Sequence, residues 1–133
     1  MLGNTGGGRD TWKRPEMGKI ADEYCEKIIL TNEDPYDENP EKIVEEMASG
    51  MKHKPEIIMD RREAICRALQ IALSWSNGAA PLDFARGPRN RDIAVLISGK
   101  GTDPFIMGAH GTKIPWSDAT VIHEELERLL AEV

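Results

Sequence analysis

The chain has 133 residues and 14.8 kDa, enough for one compact domain that hides about two thirds of its unfolded surface and too little for two. Hydrophobic residues make up 40% and charged residues 30%, and 23 acids against 17 bases give a formal charge of −6. This balance excludes intrinsic disorder and an outright nucleic-acid binder, which carries a basic excess.

No apolar run approaches the roughly 20 residues of a membrane helix, and no signal-peptide core follows Met1. Cys25 and Cys66 are too few for a disulfide scaffold and lack CxxC spacing, so they read as free thiols of a reducing cytoplasm. After a glycine-rich opening, Met17, Ile20, Ala21 and Tyr24 recur at helical spacing behind Pro15, which suits a first turn. Lys27–Thr31 is a β-branched run without polar alternation, the pattern of a strand covered on both faces. The polar stretch Asn32–Asn39 follows. Pro40 then opens a second helix with Asn39 as N-cap and Ile43, Val44, Met47, Ala48 and Met51 as its apolar stripe. Glu56–Met59 reads as the next strand. Asp60, with Glu63 three residues on, resembles a capping box for a third helix striped by Ile65, Leu69, Ala72 and Leu73.

Residues 77–90 are rich in Gly, Pro and Arg and read as a surface loop. Ile93–Ile97 has the pattern of the clearest buried strand. It runs into Gly99-Lys100-Gly101 and then a hairpin: Phe105–Met107, a turn at Gly108–Gly111, and Lys113–Pro115. Ser117 caps a last helix with Ile122, Leu126, Leu129, Leu130 and Val133 on one face.

Strand, helix, strand, helix, strand is the order of a three-layer α/β domain with a mostly parallel sheet, here ending in a β-hairpin and a helix. Ligands of such sheets gather at the carboxyl ends of the strands. That rule selects Gly3–Lys13, Asn32–Asn39 and Gly99–Pro104. The first strand should precede the glycine loop, yet only Met1 and Leu2 stand there. The sheet therefore reads as truncated at its first strand, in a chain that starts inside a larger protein's domain or has lost that strand.

Gly3 to Asp10 is neither a phosphate loop closed by Gly-Lys-Ser/Thr nor a GxGxxG fingerprint. Its bare backbone could approach a bound group, with Arg9, Asp10, Lys13 and Arg14 at its edge, and an arginine there could take a carboxylate or phosphate through two parallel hydrogen bonds. The same residues also read as a flexible linker with solvated charges. Asn32–Glu38 is an acidic loop lacking the central glycine of an EF-hand. Glu33 or Asp34 could receive an ammonium group there, or simply sit solvated before a helix N-terminus. Gly99–Pro104 is either a ligand cradle or a tight turn. His53, His110 and His123 have no metal-ligand spacing and read as surface residues; no metal site is expected. Arg86, Arg89 and Arg91 form a small basic cluster that reads as solvated loop.

Gly-Gly-Gly-Arg-Asp at 6–10, Lys-Arg-Pro at 13–15, the Thr31–Tyr36 loop, Asn39-Pro40, Gly99-Lys100-Gly101 and Trp116-Ser117-Asp118 stand in an order that resembles the C-terminal domain of a Mur ligase over nearly the whole chain. The resemblance implies a Rossmann-like domain spanning 1–133, without the family's sugar-nucleotide and central ATPase domains. It implies a cytoplasmic enzyme of peptidoglycan biosynthesis that joins an amino acid to a UDP-linked muramoyl peptide through an acyl phosphate. ATP and Mg belong to the complete enzyme and are not bound by this domain alone, which supplies no catalytic residue and is not active by itself. Neither nucleic acid nor membrane is an expected partner. In the family the arginine of the glycine stretch clasps the amino acid, which falls on Arg9. The Asp-Asn-Pro-Arg loop falls on Glu33, Asp34, Pro35 and Tyr36, and the glycine and acid of the Gly-Lys-Gly-His-Glu loop fall on Gly99 and Asp103.

Tyr36 replaces the arginine that grips the distal carboxylate of meso-diaminopimelate. A hydrogen bond to a charged group is worth about 1.5–3 kcal/mol, so its loss costs about one to two decades of affinity. The expectation is an amino acid without a distal carboxylate, lysine foremost, with Glu33 and Asp103 taking its side-chain ammonium. Alternatives are a stand-alone amino-acid-binding module and the same domain of a cyanophycin- or folylpolyglutamate-type ligase.

Overall fold

Four helices alternate with two small sheets in this computed structural model, which describes residues 1–77 and 92–132. The Gly-, Pro- and Arg-rich stretch from residue 78, Arg86, Arg89 and Arg91 in or beside it, and Val133 lie outside the described residues. The order is α1 (Lys13–Tyr24), β1 (Ile29–Leu30), α2 (Pro40–Ala48), β2 (Glu56–Ile57), α3 (Arg61–Ser76), β3 (Phe105–Met107), β4 (Lys113–Pro115) and α4 (Asp118–Ala131). The chain is an α/β domain.

β1 and β2 pair in parallel, with Ile29 opposite Glu56 and Leu30 opposite Ile57. On the other side of β1, Leu2 bridges Leu30 in parallel: the Leu2 N–H donates to the Ile29 carbonyl (2.9 Å) and the Thr31 N–H to that of Leu2 (3.1 Å). Met1 faces the opposite way. Its amino group donates to the Leu96 carbonyl (2.7 Å) and its carbonyl accepts from the Ser98 N–H (3.2 Å). The lateral order is therefore 96–98, Met1–Leu2, β1, β2, with Met1 and Leu2 in the first-strand position.

Ile93–Ile97 departs from the expected buried strand. Val95 is 38% and Leu96 71% exposed, and among the described residues the sheet-like backbone bonds of this stretch are those with Met1.

β1 is covered on both faces, as its composition requires. Leu30 packs with Val44 and Met47 of α2, and Ile29 with Ala64 and Ala68 of α3. Residues pointing to opposite sides of one strand thus nucleate two cores. Ile65 and Leu69 of α3 meet Val121 and Leu129 of α4 in a third. Burying each large apolar side chain contributes about 1.5–3 kcal/mol.

The helix starts follow the sequence. The side chains of Asn39, Asp60 and Ser117 accept from the N–H groups of Lys42, Glu63 and Thr120. Two stripes do so only in part. In α1, Ile20 and Tyr24 are 57% and 75% exposed, while Arg14 and Gly18 are buried. The reason is backbone contact: a Cβ at Gly18 would lie 1.9 Å from the Met47 carbonyl oxygen, and one at Gly50 1.8 Å from that of Pro15. Two helices this close leave no room for a stripe of large side chains. In α4 the stripe holds in part: Leu129 is buried and Ile122 and Leu126 pack against the same core, while Leu130 is exposed and Val121 and Glu125 are buried beside them.

β3 and β4 form the expected hairpin, antiparallel with Ile106 opposite Ile114. Its turn is a short 3-10 segment, Ala109–Gly111, with His110 at φ 57°.

Candidate functional site: three loops pinned by buried cations

Lys100 is 4% exposed, and its Nζ donates to both Asp34 oxygens at 2.8 and 2.7 Å. The Asp34 Oδ1 also accepts the Met107 N–H (2.8 Å), and its carbonyl accepts from the Gly6 N–H (2.6 Å) and the Thr5 hydroxyl (3.4 Å). One residue thus ties the glycine loop, the loop after β1, the Gly-Lys-Gly loop and β3 together. The Tyr36 N–H adds a bond to the Met107 carbonyl (3.1 Å).

Arg14, fully buried, donates to Glu38 (2.7 and 2.9 Å), Glu46 (2.6 Å), the Asn4 Oδ1 (3.2 Å) and the Thr5 carbonyl (3.2 Å). Glu38 accepts the Gly8 N–H as well (3.2 Å). Arg14 holds the Glu38 carboxyl down at about 2, against a smaller upward push from burial. Arg61 is bidentate to Asp118 (2.8 and 2.6 Å) and donates to the carbonyls of Ser98 (3.1 Å) and Asn32 (3.4 Å). Burial by itself would raise the Asp118 carboxyl, but the hydrogen bonds from Arg61 and Trp116 outweigh it and the group sits below its ordinary value. Buried charges survive only when paired and hydrogen-bonded, and here every pair joins segments distant in sequence.

The sequence-derived site residues fall on this rim with different freedoms. Arg9 is exposed, with no hydrogen bond or ion pair to the described residues. Glu33 is 6% exposed and packs against Gly99 and Gly3: a Cβ built at either glycine would lie 3.1 or 3.0 Å from its side chain. Burial, aided by the neighbouring Asp34 charge, pushes the Glu33 carboxyl up. Asp34 spends both oxygens inside the protein. The Pro35 carbonyl oxygen would lie 2.1 Å from a Cβ at Gly6, so the two loops touch through backbone. Tyr36 is 39% exposed, stands at φ 51° and borders Gly7. Gly99 has φ 117°, and Asp103 is exposed, its Oδ2 3.5 Å from the Lys100 Nζ. Sequence reasoning did not assign Lys100, Arg61 and Asp118, and it placed Arg14 at the loop's edge for a ligand, whereas Arg14 is buried and committed to Glu38 and Glu46. The available signals were a lysine between two glycines at a strand end and the Lys-Arg-Pro and Trp-Ser-Asp triplets.

Among the described residues no group of three or more His, Cys, Asp or Glu could hold a metal ion, and no helix is long and apolar enough to cross a membrane. Cys25 and Cys66 are free.

An α/β domain with its loops pinned together at the carboxyl ends of parallel strands is of the class that works at that rim. Residues 2–101 match the family "Mur ligase, glutamate ligase domain", and the chain belongs to that family. It is 40% identical over 91% of its length to a protein of Aquifex aeolicus, 52% over 85% to one of Chlorobaculum tepidum, and 32% over 93% to one of Clostridioides difficile. Each of these is named a UDP-N-acetylmuramoyl-L-alanyl-D-glutamate–2,6-diaminopimelate ligase. The chain covers 22%, 19% and 22% of those three proteins, about a fifth of their length.

Proposed function

We propose that this chain is the C-terminal, amino-acid-holding domain of a longer ATP-dependent amide ligase of the UDP-N-acetylmuramoyl-tripeptide synthetase type, acting in peptidoglycan synthesis in the cytoplasm. Its fold in this reading is a Rossmann-like three-layer domain, supported by helices on both faces of β1 and the parallel Leu2–β1–β2 order. The observation that carries the reading is the direct meeting of the three family loops around the Asp34–Lys100 pair.

In this reading the exposed guanidinium of Arg9 takes the carboxylate of the incoming amino acid, and Glu33 and Asp103 face its side-chain ammonium. Pro35, Tyr36 and Gly99 shape the walls. Asp34 acts through loop position, because its carboxylate is already committed. The domain's work is placement: an amine held in line with an acyl phosphate replaces a bimolecular encounter, an effect worth several kcal/mol. ATP and Mg, with the UDP-linked muramoyl peptide, belong to other domains. The glycine loop here lacks a closing Gly-Lys-Ser/Thr.

This reading leaves two candidate amino acids. Tyr36 at the loop position of the family arginine favours lysine; the names of the relatives favour 2,6-diaminopimelate. Calorimetry on the complete enzyme separates them, since the lysine reading falls if meso-diaminopimelate binds the tighter of the two. Arg9→Ala in the same enzyme is expected to raise KM for the amino acid at least tenfold. An unchanged KM removes the role assigned to Arg9.

A further inference from the structure

The turn that carries Arg9 is bent against ordinary backbone preference. Gly7, Gly8 and Asp10 stand at φ 83°, 71° and 49°, in the left-handed region that glycine enters freely and a residue with a Cβ enters at a cost. Packing does not impose the bend at Gly8, where a Cβ would meet nothing within 4 Å. Two polar contacts hold it. Asp10 accepts from the Lys13 Nζ at 2.7 Å, an exposed pair of the kind that water and salt weaken. The Gly8 N–H donates to the Glu38 Oε2 at 3.2 Å, across 30 positions of sequence. Glu38 is in turn gripped by the Arg14 fork, whose two terminal nitrogens donate to its two oxygens at 2.7 and 2.9 Å. Arg14 is itself fixed by Glu46, the Asn4 Oδ1 and the Thr5 carbonyl, so a planar, fully buried guanidinium sets where the Glu38 carboxylate stands.

We propose that Glu38, held by Arg14, is a positioning residue for Arg9: it fixes the residue immediately before Arg9 and so presets the direction in which that guanidinium is offered to the carboxylate of the amino acid. This inference rests on the amino-acid-holding reading above and adds the part that aims its arginine. A guanidinium takes a carboxylate through two parallel hydrogen bonds only when both N–H groups reach both oxygens at once. A turn left to wander has to be ordered each time the ligand binds, and that cost comes out of the affinity. Because the Glu38 carboxylate is committed to Arg14 and Gly8, it acts through Arg9 and not on the ligand. Arg14 thus serves the rim from inside the protein, with Glu38 carrying its fixed position out to the turn.

The test is a double-variant cycle on the complete enzyme, read as KM for the amino acid and as kcat. Glu38→Ala is expected to raise KM about tenfold while kcat stays within about twofold. Glu38→Gln, whose amide oxygen can still accept the Gly8 N–H, is expected to raise KM by about threefold or less. In an Arg9→Ala background no guanidinium remains to be aimed, so Glu38→Ala should add less than about twofold. A merely structural Glu38 gives the same proportional change with and without Arg9, and that result overturns the proposal. So does Glu38→Gln as damaging as Glu38→Ala, or a loss confined to kcat. Should Glu38→Ala fail to fold, the cycle is run with Glu38→Asp, one methylene shorter and still charged beside Arg14. Its expected rise in KM is about fivefold, and an unchanged KM overturns the proposal equally. Arg9→Ala separates the two levels. If it raises KM and the Glu38 variants do not, this inference falls and the proposed function stands; if it leaves KM unchanged, the role of Arg9 falls and this inference with it.

Discussion

The Lys100 ammonium and the Asp34 carboxylate face each other at 2.7 and 2.8 Å, both almost entirely out of water and 66 residues apart in sequence. The pair joins two loops that the chain order keeps far apart, and the Asp34 backbone extends the link to the glycine loop. Removing one partner leaves the other as an uncompensated buried charge. Asp34→Ala is therefore expected to destabilise the domain by about 3–5 kcal/mol, read from the urea midpoint. Asp34→Ala combined with Lys100→Met should recover much of that loss, because the stranded ammonium is gone. Additive losses in the double variant would mean that the two charges do not act as a pair.

Gly18 sets the distance between α1 and α2. A methyl group there would sit 1.9 Å from the Met47 carbonyl oxygen, backbone that cannot swing aside. Gly18→Ala is expected to cost at least about 2 kcal/mol despite alanine's better helix propensity. Lys19→Ala, on the exposed side of the same turn, should stay within about 0.5 kcal/mol of the parent. Thermal melts of the two variants decide the point.

Acid should weaken the rim. Glu38 has an ordinary value of 4.5 and is held at about 2 by Arg14, and Asp118 lies below its ordinary 3.8. A carboxyl whose folded value is depressed contributes stability above its unfolded value and loses it as pH falls toward the folded one. The Glu38 contribution, discounted for solvent screening, is on the order of 1–2 kcal/mol at neutral pH and drains away between about pH 4.5 and 2. In urea titrations across that range, Glu38→Gln should be less stable than the parent at pH 7 and level with it at pH 2. A gap independent of pH would assign the loss to packing.

Tyr36 bears on which side chain the ligase accepts. Tyr36→Arg in the complete enzyme is expected to shift the ratio of kcat/KM toward meso-diaminopimelate over lysine by about one to two decades, the value of one charged hydrogen bond. The substitution adds no new class of backbone strain, since tyrosine already occupies φ 51°. An unmoved ratio would place the distal carboxylate elsewhere.

The helix caps, the hairpin and the doubly covered β1 were legible in the sequence because each depends on residues within a few positions of one another. Asn39, Asp60 and Ser117 bond to N–H groups three residues on, and the Ile29–Leu30 pair needs only its own lack of alternation. The three candidate loops were legible for the same reason, since glycines and acids at strand ends are local signals. The α1 face, and Leu130 in α4, departed from expectation because periodicity names an apolar stripe without saying what the helix meets. Ile20 lost its place to a glycine contact, and Glu125 is buried through its pairing with Arg62 and Arg128. The Ile93–Ile97 pattern suits a strand, but Val95 and Leu96 are exposed, and backbone pairing is decided by neighbours that a local pattern does not name.

Sequence alone thus determined the class of domain, its family resemblance and the residues available for a rim. Only the tertiary structure decided how they are used. It left Arg9 exposed and committed Asp34 to Lys100, and it turned Arg14 and Arg61 into ties between distant loops. Local propensity acts over a turn or two of chain. The partner of a buried charge is chosen by proximity in space, which no short stretch of sequence encodes.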